Sequence, residues 1–411
     1  MKENNAEIIT LSNGSRLCYV KSNSRVGHLA FFFKAGSRWE GANKVGLAHF
    51  LEHCIFKGTT KRSALNILSR LDEVGGDLNA YTAKEEICLH ATFLNRYTMR
   101  ALDLMADLAQ NSTFPEKEIE KEKEVIIDEI NSYKDSPVDK MMDEFDALFY
   151  PNHPLGNNIL GSKKTVKAFI RKDLLDFVAT FFTAENLVIS YVGNYSKSKL
   201  IEKAEEKLKD MPRNANLFME NPPVTVTPFE IRKKESNYQS HAILGADAPN
   251  YRDDERSAMH LIINYLGGPA MNSRLNLSIR EKYGLAYHVE ANYNSYEDTG
   301  FWGVLLSSDA KNLNKSIELA KKELQILYDK GMTPLQLKKS KYQFLSQLSI
   351  GWEQNSSKAL GNGKTLLVFN KLDSLEEIYK KFESVTCEEI FAVCQKYLHP
   401  EKLSMLVYEN K

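Results

Sequence analysis

The chain reads as one pattern written twice, and that duplication limits the folds open to it more than any other feature. Gly46-Leu47-Ala48-His49-Phe50-Leu51-Glu52-His53 falls opposite Ser257-Ala258-Met259-His260-Leu261-Ile262-Ile263-Asn264. Arg70 then follows His49 by 21 positions, and Arg280 follows His260 by 20. A period of about 200 residues is much too long for a solenoid, so each copy is expected to carry a core of its own. Near the middle, Met211–Phe229 breaks into Pro212, Asn214, Asn216, Asn221, Pro222, Pro223 and Pro228, the composition of a linker. The predicted boundaries are residues 1–212 for the first domain, 213–229 for the linker and 230–411 for the second.

The order of elements supports the duplication. In the first copy, strand patterns at 16–20 and 29–34 precede helical spacing at 45–56 and at 63–74, where Gly75-Gly76 ends the helix. A strand at 87–93, a helix at 96–110, a charged helix starting at Pro115, a helix at 173–182 and a strand at 187–192 follow. The second copy repeats strand 241–246, helices 255–265 and 275–282, strands 286–293 and 300–307, and helix 313–330.

Charge excludes one class of partner. The chain carries 54 Lys+Arg against 54 Asp+Glu, balanced in each half (30 and 30 in residues 1–215), so a polyanion such as nucleic acid is not its main attraction. The longest apolar runs, such as Leu29–Phe33, are strand-sized, and no membrane span is expected. The acidic start, Met1-Lys2-Glu3-Asn4-Asn5-Ala6-Glu7, resembles no export signal, and five scattered cysteines without a CxxC pair suit a reducing, cytoplasmic setting.

His49-Phe50-Leu51-Glu52-His53 is the pattern with chemistry in it. Residues i and i+4 share one face of a helix, so both imidazoles reach a single ion, and Glu52 at i+3 stands beside it. Two neutral imidazoles and a carboxylate suit zinc, with a fourth position left for water. The second copy has His260, Ile263 and Asn264 at these places, so a metal site belongs to the first half only. A third ligand is needed, and Glu116–Glu129 offers seven acids among three lysines. Glu122 and Glu129 lie seven apart on one side, next to a predicted apolar contact at Val125-Ile126-Ile127; spacing leaves Glu118, Glu122 and Glu129 all open.

These residues resemble the pitrilysin/insulinase family of zinc peptidases, which includes the mitochondrial processing peptidases. The likeness rests on His49–His53, on Ala35-Gly36-Ser37-Arg38 and Phe56-Lys57-Gly58-Thr59 around it, and on Glu122-x-x-Val125-Ile126-x-x-Glu129. It implies an α+β fold of two homologous halves, each a mainly antiparallel sheet with helices packed on it. It also implies one Zn2+ on His49, His53 and Glu129, with Glu52 as general base and Glu122 behind a ligand histidine.

In the second half, Leu266-Gly267-Gly268, Ser273-Arg274-Leu275 and Arg280-Glu281-Lys282-Tyr283-Gly284-Leu285-Ala286-Tyr287 are similar to the same family. The resemblance implies that Arg280 and Tyr287 aid the catalytic step at the scissile carbonyl. Gly75–Thr82 resembles the family's substrate strand, with Asn79, Ala80 and Tyr81 at its contact positions and peptide added main chain to main chain. The implied function is a zinc-dependent endopeptidase acting on peptides or unfolded segments held in a chamber between the halves, paired as a homodimer. The alternatives are an inactive partner subunit or a peptide-binding module of the same fold.

Overall fold

The computed structural model describes residues 6–213 and 224–411. The linker expected at 213–229 falls largely on 214–223, outside the described residues. The chain forms two compact units. The first comprises residues 1–132, 157–221 and 350–374, and the second comprises 133–156, 222–349 and 375–411.

The sheet of the first unit has strands β1 (Glu7–Thr10), β2 (Arg16–Lys21), β3 (Val26–Phe33), β4 (Asp77–Thr82), β5 (Ile87–Leu94) and β6 (Leu187–Gly193) in the order β1-β2-β6-β3-β5-β4. That of the second has β7 (Glu230–Glu235), β8 (Ser240–Asp247), β9 (Ala286–Ser295), β10 (Gly300–Ser308) and β11 (Ser404–Asn410) in the order β7-β11-β8-β10-β9. With β1 set aside, the two orders coincide strand for strand. Even the parallel pairs correspond, β2 with β6 and β7 with β11, while the other pairings are antiparallel. The duplication read from the sequence is therefore a duplicated α+β fold.

Alternation along the strands explains why each sheet needs helices on both faces. In the first unit, Leu17, Tyr19, Leu29, Phe31, Phe33, Leu89 and Phe93 point into one core. That core is shared with α1 (Leu47–Cys54), α2 (Ala64–Asp72), α3 (Thr98–Asn111) and α4 (Glu116–Lys134). The intervening Cys18, Val20, Ala30, Phe32 and Cys88 point the other way and meet Ala359, Leu366 and Leu367 of the helix Asn355–Phe369. In this helix Gly363 sits against the sheet, and a Cβ there would lie 2.2 Å from Phe32 Cε2.

The second unit repeats the arrangement. Ala242, Leu244, Val304, Leu306 and Val407 build its main core. Ile243, Phe301, Leu406 and Tyr408 on the opposite face are covered by Met141, Phe145 and Phe149 of α5 (Pro137–Phe149). Among the described residues no helix is long and apolar enough to cross a membrane.

One expectation about α4 is corrected. Ile126 and Ile127 are buried, but Val125 is 49% exposed and takes no part in the contact face. Three consecutive helical residues sweep about 200°, too wide an arc for one packed stripe.

Candidate metal centre

Helix α1 is short, and its two faces divide by chemistry. Leu47, Phe50, Leu51 and Cys54 are buried in the core, which turns His49, Glu52 and His53 to the opposite side. Its start is held firmly. Gly46, at φ 97°, opens the helix in the left-handed region that favours glycine, and a Cβ there would lie 2.7 Å from Gly161 Cα. The buried carboxylate of Glu40 then accepts from Gly46 N at 2.8 Å and Ala48 N at 2.6 Å, capping amides that the helix leaves unpaired. Burial pushes the Glu40 carboxyl up to about 8, against the pull of those amides.

Helix α4 brings the third ligand candidate. Ile119, Ile126, Ile127 and Ile130 are buried along it, and the same side carries Glu122 and Glu129. The ligand atoms of His49, His53 and Glu129 lie within 4.8 Å of one another. Glu129 Oε2 is 3.6 Å from His49 Nε2 and 3.5 Å from His53 Nε2. Two donors held roughly 2.1 Å from a tetrahedral zinc sit roughly 3.4 Å apart, so these separations fit such an ion. Among the described residues Glu129 Oε2, itself buried, has no hydrogen-bond partner, an expensive arrangement for a carboxylate oxygen unless a cation meets it.

The remaining acids divide by position. Glu122 Oε2 lies 3.3 Å from His53 Nδ1, behind the ring. A carboxylate only accepts, so His53 carries its proton on Nδ1 and leaves the Nε2 lone pair free toward Glu129. Glu118 instead pairs with Lys121 at 2.7 Å. His49 is held neutral: burial, and then neighbouring His53, push its pKa down to about 4. Glu52 shifts upward, because burial outweighs the hydrogen bond from Thr82 and the attraction of His53.

Two further contacts, which no spacing in the sequence predicts, hold the acids. Lys57 Nζ is 2.7 Å from Glu122 Oε1, and the Thr82 hydroxyl is 2.9 Å from Glu52 Oε2. Both residues lie inside segments already singled out, Phe56–Thr59 and Gly75–Thr82. Thr82 could have been found from the period of two, since it shares a strand face with Ala80.

Among the described residues strand β4 is the edge of its sheet, paired with β5 alone. Ala80 packs against the core on the α1 side, while Tyr81 turns to the opposite face, against the cluster of Val20 and Phe32. Asn79 alternates with Ala80 and donates to Asp77 Oδ2 at 2.6 Å. In the second unit, Arg280 lies in the helical segment Asn276–Glu281 and Tyr287, 64% exposed, on edge strand β9. Both line one cleft, with Gly267, Gly268 and Asn276.

Comparison with known proteins adds to this geometry. Residues 17–163 match the family model described as Insulinase (Peptidase family M16), and residues 168–344 match Peptidase M16 inactive domain. A Bacillus subtilis protein named uncharacterized zinc protease YmxG is 34% identical over 383 residues, covering 93% of each chain. Mitochondrial-processing peptidase subunit beta of Mus musculus is 27% identical over 402 residues, 96% of this chain and 82% of its own. Among solved structures, a protease from Helicobacter pylori superposes with a TM-score of 0.89 at 20% identity, covering 99% of this chain and 100% of its own. A peptidase M16 inactive domain from Pseudomonas fluorescens gives a TM-score of 0.91 at 20% identity, covering 99% and 98%.

Proposed function

The chain belongs to the insulinase family of peptidases, M16, and from that premise we propose that it is a zinc-dependent endopeptidase. The observation that carries this reading is the convergence of His49 Nε2, His53 Nε2 and Glu129 Oε2, with the Glu129 oxygen left without a hydrogen-bond partner among the described residues. Zinc bound there would lower the pKa of water to about 7 and polarise a carbonyl.

The protein's own groups then have separable tasks. His49 stays neutral over the physiological range and is available as a ligand. Glu122 fixes the tautomer and ring orientation of His53. Glu52, its carboxyl raised by burial, takes a proton from the attacking water and returns it to the leaving amine. The β4 edge offers main-chain groups to an extended peptide, which makes recognition of side chains secondary. Arg280 and Tyr287 are assigned to the oxyanion by family resemblance alone. The halves 1–212 and 230–411, which exchange the segments 133–156 and 350–374 between the compact units, and the homodimer are carried in the same proposal. The mouse relative is named as a subunit, so a mass measurement on the native protein decides between a homodimer and a mixed assembly.

The deciding experiment is cleavage of a quenched fluorescent peptide library with and without chelator, beside Glu52→Gln. We expect chelator-sensitive cleavage by the wild type, and a variant that retains zinc without turnover. Stoichiometric zinc with no chelator-sensitive cleavage across the library would instead place the chain among inactive partners or peptide-binding modules.

A further inference from the structure

The end of the edge strand touches the proposed base. Thr82, the last residue of β4, has its hydroxyl 2.9 Å from Glu52 Oε2, with the Ala48 carbonyl at 3.5 Å. An ionised carboxylate cannot donate, so the hydroxyl proton goes to Glu52 and the Ala48 carbonyl is at most a weak second acceptor. At 2.9 Å the bond is longer than the roughly 2.6 Å of the strongest hydroxyl–carboxylate pairs, so it directs the Glu52 carboxylate without locking it.

The other side of the linkage is the strand. Thr82 pairs with Ile87 of β5 and has no strand on its other side among the described residues. An edge strand is restrained by one ladder of hydrogen bonds; an added peptide supplies a second and makes the strand interior. Thr82 therefore belongs to a substrate-accepting edge strand and also holds the base, through its hydroxyl and with its main-chain amide acting on the same carboxylate.

We propose that Thr82 is a positioning residue through which an extended peptide on the β4 edge sets the orientation of Glu52. This inference deepens the peptidase reading and rests on it. It gives the enzyme a way to favour long extended substrates over short ones without reading their side chains. A peptide that spans β4 orders the base, whereas one too short to add as a strand leaves Glu52 held only by the edge.

The test compares Thr82→Val, which keeps the β-branched shape and loses the hydroxyl, with Thr82→Ser, which keeps the hydroxyl. Substrates are a series of quenched peptides of increasing length. Wild-type kcat is expected to rise with length; Thr82→Val should lower kcat about tenfold on the longest peptide, with KM within about twofold and the length dependence flattened. Thr82→Ser should restore the wild-type profile, and bound zinc should be equal in all three. In a Glu52→Gln background, Thr82→Val should leave peptide affinity unchanged, since no base remains to be oriented. A strand merely frayed by the substitution would raise KM and weaken binding in that background, which would overturn the inference. Wild-type kcat in Thr82→Val, or an undiminished length dependence, would do the same while leaving the peptidase reading intact. Absence of cleavage by the wild type would remove the proposed function and this inference with it.

Discussion

Glu122 stands directly behind His53, its Oε2 3.3 Å from the ring's Nδ1, while its other oxygen is 2.7 Å from Lys57 Nζ. The carboxylate is thus gripped from the far side by an ammonium and presents one oxygen to the imidazole. Glu122→Gln keeps the shape and weakens both contacts. We expect zinc affinity to fall by about 10- to 100-fold, measured by competition with a calibrated chelator, with thermal stability of the metal-free protein little changed. Unaltered affinity would make Glu122 a structural partner of Lys57 only.

Glu129 and Glu52 should separate binding from chemistry. Glu129→Ala removes the oxygen that faces the Nε2 atoms of both imidazoles and should lower zinc occupancy, read by metal analysis after dialysis. Glu52→Gln should leave occupancy intact and reduce kcat by about 10²- to 10⁴-fold, the usual range for losing a general acid–base group. If Glu129→Ala retained full occupancy, Glu129 would leave the ligand set.

Acid stability should depend on a histidine far from any ligand role. His260 packs against Tyr293, Phe344 and Phe382, and burial, then Arg256, pushes its pKa down to about 4. The unfolded chain binds that proton at its ordinary 6.5, so between 6.5 and 4 the unfolded state holds more protons than the folded one. The contribution is complete above 6.5 and lost as pH falls to 4, a change of roughly 3 kcal/mol. His260→Phe should flatten this acid limb in denaturant melts of metal-free protein at pH 4.5, 5.5 and 7. An unchanged slope would assign the acid sensitivity to other groups.

Gly363→Ala tests how closely the helix Asn355–Phe369 lies on its sheet. Alanine gains about 1 kcal/mol of helix propensity over glycine. Against that, its Cβ would enter to 2.2 Å from Phe32, a ring with 0% exposure and no room to turn aside. Overpacking of this kind costs about 1–3 kcal/mol, so the net expectation is a lower midpoint in thermal unfolding. A raised midpoint would mean that the helix shifts outward at little cost.

Arg280→Ala and Tyr287→Phe should lower kcat while leaving bound zinc unchanged, since both lie in the second unit and line a cleft of their own. Equal loss of zinc would point to misfolding in place of lost oxyanion contacts.

Several features were legible because they are local. His49, Glu52 and His53 share one face of any helix that contains them, and α1 is such a helix. The unbroken apolar run Leu29–Phe33, whose successive side chains alternate between the two faces of a strand, demands cover on both sides. The correspondence of His49 with His260 already implied a repeated fold. The strand orders of the two sheets bear that out.

Other features depend on elements distant in sequence. Spacing left Glu118, Glu122 and Glu129 open, because all three belong to one run of charge. Burial of Ile119, Ile126 and Ile127 rotates α4 so that Glu129 meets the imidazole Nε2 atoms and Glu122 meets Nδ1, while Glu118 turns to Lys121. Val125, expected in the contact, is on the outside for the same rotational reason.

By itself the sequence determined the duplication, the α+β character and the half that keeps the histidine pair, since each follows from repetition or from short-range periodicity. Tertiary structure decided which acid faces which nitrogen, that Lys57 holds Glu122 and Thr82 holds Glu52, and that the helix Asn355–Phe369 covers the sheet of the first unit as α5 covers that of the second. Periodicity specifies the face a residue occupies on its own element. Which partner meets that face is set by packing between segments tens to hundreds of residues apart, where shape and buried area choose among many polar residues that the sequence presents alike.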